Sequence, residues 1–371
     1  MLLTLPGRLV ALALALAVAL AAGALPLAGA AADALPARLD PRELWRLSEQ
    51  LSEPDGYFRS DNLLSNEQYY PEVLDELIAR TPAGGVYLGV GPEQNFSYIA
   101  AVRPRMAFIT DVRRGNLHLQ LLYKALFELS ADRAEFVSRL FTKPRPAHLS
   151  TSSSAAEIMD AYWVVDTSAR EVFDRNVREV HDHLTQTLDL PLPPGDLDGI
   201  ANVYWAFYWF GPSITYASSS HTGFGRSRMA NYYQLMLATD TYGRVRSFLA
   251  SEESFRFVQD MQRRNLIVPV VGNFGGPHAL RAIGRWVRER NAEISVFYVS
   301  NVEQYLRQEG LMDRFCANVA SMPLAPGATF VRSLSGGGGF RNLLGDMRAE
   351  TERCATRTVP TAGPDATVPR P

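Results

Sequence analysis

Short apolar runs alternate with amphipathic stretches along much of the chain. Residues 85–90 (GVYLGV) and 105–111 (RMAFITD) have the continuous apolar character of buried strands, whereas residues 94–102 and 116–129 carry apolar side chains at helical spacing. Strands and helices that alternate at these lengths predict βαβ units, in which helices cover a parallel sheet. The expected fold class is α/β, with a Rossmann-like, doubly wound and mostly parallel sheet.

The same alternation returns near the C-terminus. Further strands are predicted over residues 265–271, 292–299 and 328–334, and further helices over residues 277–290, 302–308 and 311–319. Between the two alternating stretches, residues 131–264 show mainly helical spacing and no flexible linker. We expect one domain over residues 33–354 with this large helical insertion; a separate helical cap is the alternative. The glycines of residues 335–339 predict a flexible connection to a helix over residues 340–350.

An apolar segment lies at the start of the chain. Residues 9–27 are almost all Ala, Leu, Val and Gly, Arg8 precedes them, and small residues follow at positions 28, 30 and 32. This pattern is typical of a secretory signal peptide. We expect residues 1–32 to be cleaved and the protein to be exported, either periplasmic or secreted; an uncleaved anchor, which would be its membrane contact, is the alternative. Residues 355–371, rich in Thr, Pro and Ala, are expected to form a disordered tail.

The charge of the 371-residue chain is nearly balanced, with 37 Lys and Arg against 39 Asp and Glu. Proteins that bind nucleic acid normally carry a basic excess, so we expect a small-molecule ligand and no nucleic acid. The two cysteines of the sequence, Cys316 and Cys354, lack the spacing of a metal site, and no metal is expected. Export would let them form a disulfide bond, with two separate thiols as the alternative.

A glycine-bearing turn follows the first predicted strand. Gly89 and Gly91 allow a tight turn and the close approach of a ligand, and the next helix offers unpaired N–H groups at its start. Asp111 ends the second predicted strand, where an acid can accept hydrogen bonds from both hydroxyls of a ribose. The arrangement favours a nucleoside-like ligand at the carboxyl end of the sheet; a turn without a ligand is the alternative. The polar residues 61–62 and 65–67 are predicted to fold over this end.

Residues 85–111, together with the later strands, resemble the Rossmann-like fold of class I S-adenosylmethionine-dependent methyltransferases. In that family the first Gly-rich loop holds the amino-acid part of the cofactor, and the acid that ends the second strand binds its ribose. The resemblance implies S-adenosylmethionine as the cofactor and the following cofactor contacts: Gly89, Gly91, Glu93 and Asp111.

The loop departs from the pattern of that family at two positions. The family usually has a third glycine where this chain has Glu93, and an acid two residues before the first glycine, where this chain has Tyr87. Residues 297–306 (FYVSNVEQYL) also resemble an uncharacterised bacterial family with this fold. An exported protein of methyltransferase-like fold that has lost the cofactor, and binds without catalysis, is therefore one alternative function.

A second glycine-rich turn follows the strand over residues 265–271. Taken as the fourth strand of the family, this strand ends in GNFGGP, which is similar to the Asn/Asp-Pro-Pro-aromatic motif of amine methyltransferases. Asn273 is a candidate to bind a substrate amide or hydroxyl, and His278 is a candidate acid or base. The alternative is a strand–helix turn in which both residues are structural.

The predicted helical insertion contains one more candidate site. Residues 202–216 contain seven aromatic side chains, which either pack in the core or line an apolar pocket. The polar loop that follows carries Ser220 and His221, which suggest a hydrolase with a nucleophilic mechanism. That loop has no Gly-x-Ser-x-Gly motif, so the hydrolase is the further alternative to a methyltransferase-like transferase or binding protein.

Overall fold

Five strands run parallel, and a sixth joins the edge of their sheet in the antiparallel direction. The computed structural model describes residues 34–216, 218, 229–336 and 339–357. The strand order is β3-β2-β1-β4-β5-β6. The strands are β1 (Val86–Val90), β2 (Met106–Asp111), β3 (Ile267–Val271), β4 (Ile294–Ser300), β5 (Leu324–Gly336) and β6 (Gly339–Asp346). The predicted α/β class and mostly parallel sheet are confirmed.

The strands are apolar at successive positions because the sheet is covered on both faces. In β1, Tyr87 packs into the core on one face, and Val86 and Leu88 pack into the core on the other. A strand buried on both sides has no polar face, which explains the continuous apolar runs in the sequence.

Helices cover the two faces of the sheet. The helices are α1 (Pro41–Leu51), α2 (Leu74–Arg80), α3 (Gln94–Val102), α4 (Arg114–Leu129), α5 (Arg133–Phe141), α6 (Ala155–Val164), α7 (Arg170–Asp182), α8 (Pro194–Phe210), α9 (Tyr232–Met236), α10 (Glu252–Arg263), α11 (Ala279–Glu289), α12 (Val302–Gln308), α13 (Met312–Ala320) and α14 (Met347–Arg357). Their starts follow local chemistry: the carboxylate of Asp40 accepts from the N–H of Arg42 at 2.9 Å to cap α1. Ser154 and Glu157 form a capping box at α6.

The region between β2 and β3 is largely helical and packs on one face of the sheet. Phe136 of α5 and Phe255 of α10 belong to the same apolar core as Phe127 of α4, with ring centroids 4.6 and 5.2 Å from that of Phe127. In the aromatic stretch, Tyr204 and Phe207 of α8 are buried in this core. The insertion therefore shares one core with the helix that follows β2.

The C-terminal region differs from the prediction. A helix is predicted over residues 340–350, after a flexible connection. Residues 339–346 instead form the strand β6, and the helix α14 starts only at Met347. Asn342 is buried while Arg341 and Leu343 are exposed, which is the two-residue period of a strand. The antiparallel pairing of β5 with β6 extends to Gly336 and Gly339, so these two glycines belong to the sheet and not to a flexible connection.

A disulfide bond joins Cys316 of α13 to Cys354 of α14, as predicted, with Cα atoms 6.0 Å apart. The bond fixes the last helix to the body of the protein. Within the described ranges, no helix is long and apolar enough to cross a membrane. The predicted signal peptide lies outside these ranges, and so do residues 358–371 of the predicted tail, whose first residues belong to α14.

Candidate functional site

A cavity of about 430 Å³ lies at the carboxyl ends of β1 to β4. Its wall includes Gly91 after β1, Asp111 at the end of β2 and Asn273 after β3. The chain adds β2 and β3 on one side of β1, and β4 and β5 on the other, so the strand order reverses at the cavity. Open α/β sheets bind ligands at such positions, and about 300–1,000 Å³ is usual for a small-molecule site. The cavity thus lies at the predicted end of the sheet.

A segment over residues 56–67 forms the roof of the cavity. The backbone N–H of Gly56 donates to the carbonyl of Val112 at 2.8 Å, and a Cβ at position 56 would meet the Val112 side chain. Glycine therefore lets the roof lie directly against the end of β2. Of the polar residues predicted to fold over the sheet, Asn62, Ser65, Asn66 and Glu67 line the cavity, whereas Asp61 is exposed and does not.

The two glycines of the loop after β1 have different roles. Gly91 has φ +75°, and no atom lies within 4 Å of where its Cβ would be, so its backbone faces open space. A Cβ at Gly89 would instead overlap the Oδ1 of Asn95. Asn95 is completely buried and donates from Nδ2 to the carbonyls of Val90 at 2.9 Å and Pro92 at 2.7 Å. The absence of a side chain at Gly89 leaves room for the Asn95 side chain, which holds the loop, and Gly91 is accessible to a ligand.

Glu93 faces the interior of the protein and not the cavity. Its carboxyl group accepts from its own backbone N–H and from the N–H of Ser65, the latter at 3.2 Å. Burial, and to a smaller extent the nearby Glu67, raises the pKa of Glu93 to about 8. Glu93 therefore keeps its proton near neutral pH, and its hydrogen bond with Ser65 holds the roof in place.

Asp111 lines the cavity, and its carboxylate is paired with Arg113. Oδ1 accepts from the backbone N–H of Arg113 at 3.0 Å, and the Arg113 Nε lies 3.3 Å from the same oxygen. Oδ2 has a longer contact of 3.4 Å with the guanidinium. Because Arg113 holds mainly one oxygen, Asp111 retains acceptor capacity for a ligand hydroxyl.

A second buried carboxylate, Glu67, joins the roof to the end of β4. It accepts hydrogen bonds from the hydroxyl of Tyr298 at 2.9 Å and from that of Ser300. It also accepts from the Nδ2 of Asn342 at 2.6 Å and the Nε2 of Gln94 at 3.0 Å. Burial and the negative charge of Glu67 hold the pKa of Tyr298 well above its usual value. The four donors fix the roof over β4.

Two non-glycine residues of the cavity wall have left-handed backbone conformations. Asn62 has φ +46° and Ser300, the last residue of β4, has φ +50°. Such conformations persist where the surroundings enforce them, and they cluster at binding and active sites. In the sequence, Ser300 lies within the stretch FYVSNVEQYL, which predicts no chemical role for it. The one feature of the sequence that points to Ser300 is that this polar residue directly follows the predicted apolar strand over residues 292–299.

The residues after β3 form a turn. The Oδ1 of Asn273 accepts from the N–H of Gly275 at 2.8 Å, and Asn273 lines the cavity. The His278 ring does not line it: its Nε2 lies 2.8 Å from the carbonyl oxygen of Gln50. The Glu53 carboxylate accepts from the backbone N–H of His278 at 2.8 Å, at the start of α11. Of the two candidate residues after β3, only Asn273 lies at the cavity.

The assignment of residues 265–271 to a fourth strand is wrong. The strand there is β3, the outer strand of the sheet next to β2, and β4 occupies the place beside β1. An apolar run shows that a strand is buried but not which neighbours it has. The helical connection from β2 carries the chain outward to the edge, and the sequence pattern does not show that direction.

Ser220 and His221 lie outside the described residues. Tyr216 and Met229, near the two ends of their segment, line the cavity. Of the candidate aromatics, Tyr204 and Phe207 lie in the core, Tyr216 lines the cavity, and Trp209 is exposed. In the ranges that the structure covers, no group of three or more His, Cys, Asp and Glu side chains could hold a metal ion.

Comparison with known proteins gives one family. The sequence model of a domain of unknown function (DUF7790) matches residues 63–190 and 213–347, which together make up more than half of the chain. A search of curated proteins found no match.

Proposed function

The chain belongs to the DUF7790 family, whose function is unknown, and we propose that it is an exported protein that binds a small nucleoside at the carboxyl end of its sheet. The observation that carries this proposal is the pair Gly91 and Asp111. The first follows β1, the second ends the adjacent β2, and both line one cavity. A Rossmann-like, doubly wound fold, similar to that of class I methyltransferases, accounts for this pairing.

The wall of the cavity has the groups that a nucleoside needs. Asp111 would accept hydrogen bonds from the ribose hydroxyls, and the open backbone at Gly91 would let the sugar approach. Phe58 and Tyr305 line the cavity with ring centroids 5.0 Å apart, and Tyr216 lies in the same wall. Aromatic faces of this kind provide apolar surface for a base.

The residues present fit only part of S-adenosylmethionine. Its nucleoside part matches Gly91 and Asp111. Its amino-acid part would need donors at the start of α3, where Glu93 stands in place of the third glycine of the family and binds its own backbone N–H. We therefore propose binding of the nucleoside part and derive no methyl transfer. A methyltransferase-like transferase is the second candidate, supported by the same pair of residues.

The disulfide bond supports the proposed export. Cys316 and Cys354 are paired, and disulfides persist mainly in oxidising compartments. The proposal expects a mature protein that begins after residue 30 or 32. Sequencing of the N-terminus of protein recovered from the exported fraction tests it, and an intact leader on protein found only in the cytoplasm would contradict it.

Thermal shift measurements test the proposed ligand. Adenosine, S-adenosylmethionine and S-adenosylhomocysteine at millimolar concentration should each raise the melting temperature, because a ligand that binds only the folded state stabilises it. Asp111→Asn should reduce the shifts, whereas Asp198→Asn on the exposed side of α8 should not. Adenosine should shift the wild type about as much as the larger ligands. No shift with any of the three would overturn the proposal.

A further inference from the structure

A second cleft lies at the amino ends of the strands, at the opposite end of the sheet from the cavity described above. Its volume is about 770 Å³, and its wall includes Gly85 before β1, Arg105 before β2 and Glu293 before β4. Among the described residues, three arginines line it, Arg105, Arg288 and Arg290, with one carboxylate, that of Glu293. The chain as a whole has fewer basic than acidic residues, so this wall concentrates positive charge against the composition.

Two of these arginines are held in place without being neutralised. Arg105 donates from Nη2 to the carbonyl of Leu35 at 3.2 Å, and Arg288 donates to the carbonyl of Ser321. In the part of the chain that the structure describes, no carboxylate forms an ion pair with either of them. Since a guanidinium has five N–H donors, each of the two keeps donors and a full charge for a ligand.

The third arginine, Arg290, is oriented by Trp286. Its Nη1 donates to the carbonyl of Trp286 at 3.2 Å, and its guanidinium lies 3.9 Å from the centroid of the Trp286 ring. A carboxylate oxygen of Glu289 is 3.9 Å from the same Nη1, which is too far for a hydrogen bond. All three guanidinium groups of the cleft are therefore available to an anion.

We propose that this cleft binds a phosphomonoester, with Arg105, Arg288 and Arg290 as the donors to its phosphate group. The planar guanidinium fork matches the oxygens of a phosphate. A phosphomonoester carries about −1.5 to −2 charges near pH 7, which suits a wall with three arginines and one carboxylate better than a singly charged carboxylate ligand does. The ester is either a small soluble molecule or a lipid headgroup. The cleft is separate from the cavity, so this proposal does not depend on nucleoside binding.

Calorimetric titration with glycerol 3-phosphate at low ionic strength tests the soluble form. The wild type should bind it with a Kd below about 1 mM. Arg105→Gln/Arg288→Gln should weaken binding at least about tenfold, because charge-assisted hydrogen bonds from two arginines are lost. The matched control is Arg175→Gln/Arg178→Gln, which removes the same charge from two exposed positions on α7 and should keep the affinity of the wild type.

The variant Glu293→Gln should bind more tightly, and a gain in affinity cannot come from misfolding. Glu293 is exposed and lines the cleft, so its carboxylate repels a bound phosphate. Removal of this charge should raise the affinity about threefold at low ionic strength. An unchanged or lower affinity would overturn the assignment of the phosphate to this wall.

Vesicles distinguish the two sources of the phosphate. Sedimentation of the wild type with vesicles that contain phosphatidic acid, but not with vesicles of phosphatidylcholine alone, would assign the group to a lipid. Binding of glycerol 3-phosphate without binding to either kind of vesicle would assign it to a soluble molecule. In both cases the binding should be lost in Arg105→Gln/Arg288→Gln and retained in Arg175→Gln/Arg178→Gln. Binding to neither probe, or an equal loss in the two double variants, would overturn the proposal.

Discussion

Glu67 and Tyr298 lie 231 residues apart in the sequence, and the hydroxyl of Tyr298 donates to the carboxylate of Glu67 at 2.9 Å. Glu67 belongs to the roof and Tyr298 to β4, and both line the cavity. This contact joins a segment that precedes the sheet to one of its central strands. The cavity therefore depends on a buried polar network as well as on the apolar core.

Glu67→Ala should destabilise the protein by about 3 kcal/mol. The substitution leaves the hydroxyls of Tyr298 and Ser300 without this acceptor, and each buried unpaired donor costs about 1–3 kcal/mol before the structure relaxes. The amide groups of Asn342 and Gln94 lose one of their two acceptors and keep the hydroxyl of Tyr98. Urea unfolding measures the loss. The control is Glu309→Ala, an exposed residue of the cavity rim, for which a change within about 0.5 kcal/mol is expected. Equal losses in the two variants would contradict the role of Glu67.

Glu93→Gln should make stability less dependent on pH. The pKa of Glu93 is raised from 4.5 to about 8 in the folded protein, so the folded state binds the proton more tightly than the unfolded state. The stability from this group is fully present below pH about 4.5 and is lost as the pH rises through about 8. Glutamine keeps an acceptor for the N–H of Ser65 and cannot ionise.

Urea unfolding at pH about 5 and about 8 checks this expectation. The free energy of unfolding should fall less between these values for Glu93→Gln than for the wild type. Glu289→Gln, at an exposed position, should behave as the wild type. The same fall in all three proteins would exclude a raised pKa at Glu93.

The two loop glycines should respond differently to alanine. Gly91→Ala places a side chain at φ +75° and into the cavity, so we expect a loss of about 1 kcal/mol in stability and weaker adenosine binding. Gly89→Ala forces a methyl group against Asn95, so we expect about 3 kcal/mol or more. Thermal unfolding and adenosine titration of both variants test this. A greater loss of stability in Gly91→Ala would contradict the assigned roles.

Removal of the disulfide bond should destabilise the protein by about 3–4 kcal/mol in the chain-entropy model. Cys316 and Cys354 are 38 residues apart, and their bond limits the unfolded chain. The double variant Cys316→Ala/Cys354→Ala should melt at a lower temperature than the oxidised wild type. A reductant should lower the melting temperature of the wild type and leave that of the variant unchanged. Two free thiols in the unreduced wild type would contradict the pairing.

The sequence predicts the sheet and one wall of the site because their signals are local. Apolar runs mark the parallel strands, and the carboxyl ends of parallel strands share one edge, so Gly91 and Asp111 were expected to meet there. The polar roof was also expected at this edge, from residues that precede the first strand.

The other features depend on partners far away in the sequence. The carboxylate of Glu67 becomes a hydrogen-bonding centre only when β4 and β6 approach it, and its neighbours in the sequence do not indicate those contacts. Glu93 was expected to contact a ligand, but its position beside Ser65 turns it inward. β6 was missed because the glycine run resembled a linker, and its pairing with β5 is a tertiary contact.

The most direct test of nucleoside binding is a crystal structure of the protein with adenosine. We predict adenosine in the cavity at the carboxyl ends of β1 and β2, with its ribose hydroxyls within hydrogen-bond distance of the Asp111 carboxylate. An empty cavity in crystals grown at millimolar adenosine, or adenosine bound away from Asp111, would contradict it.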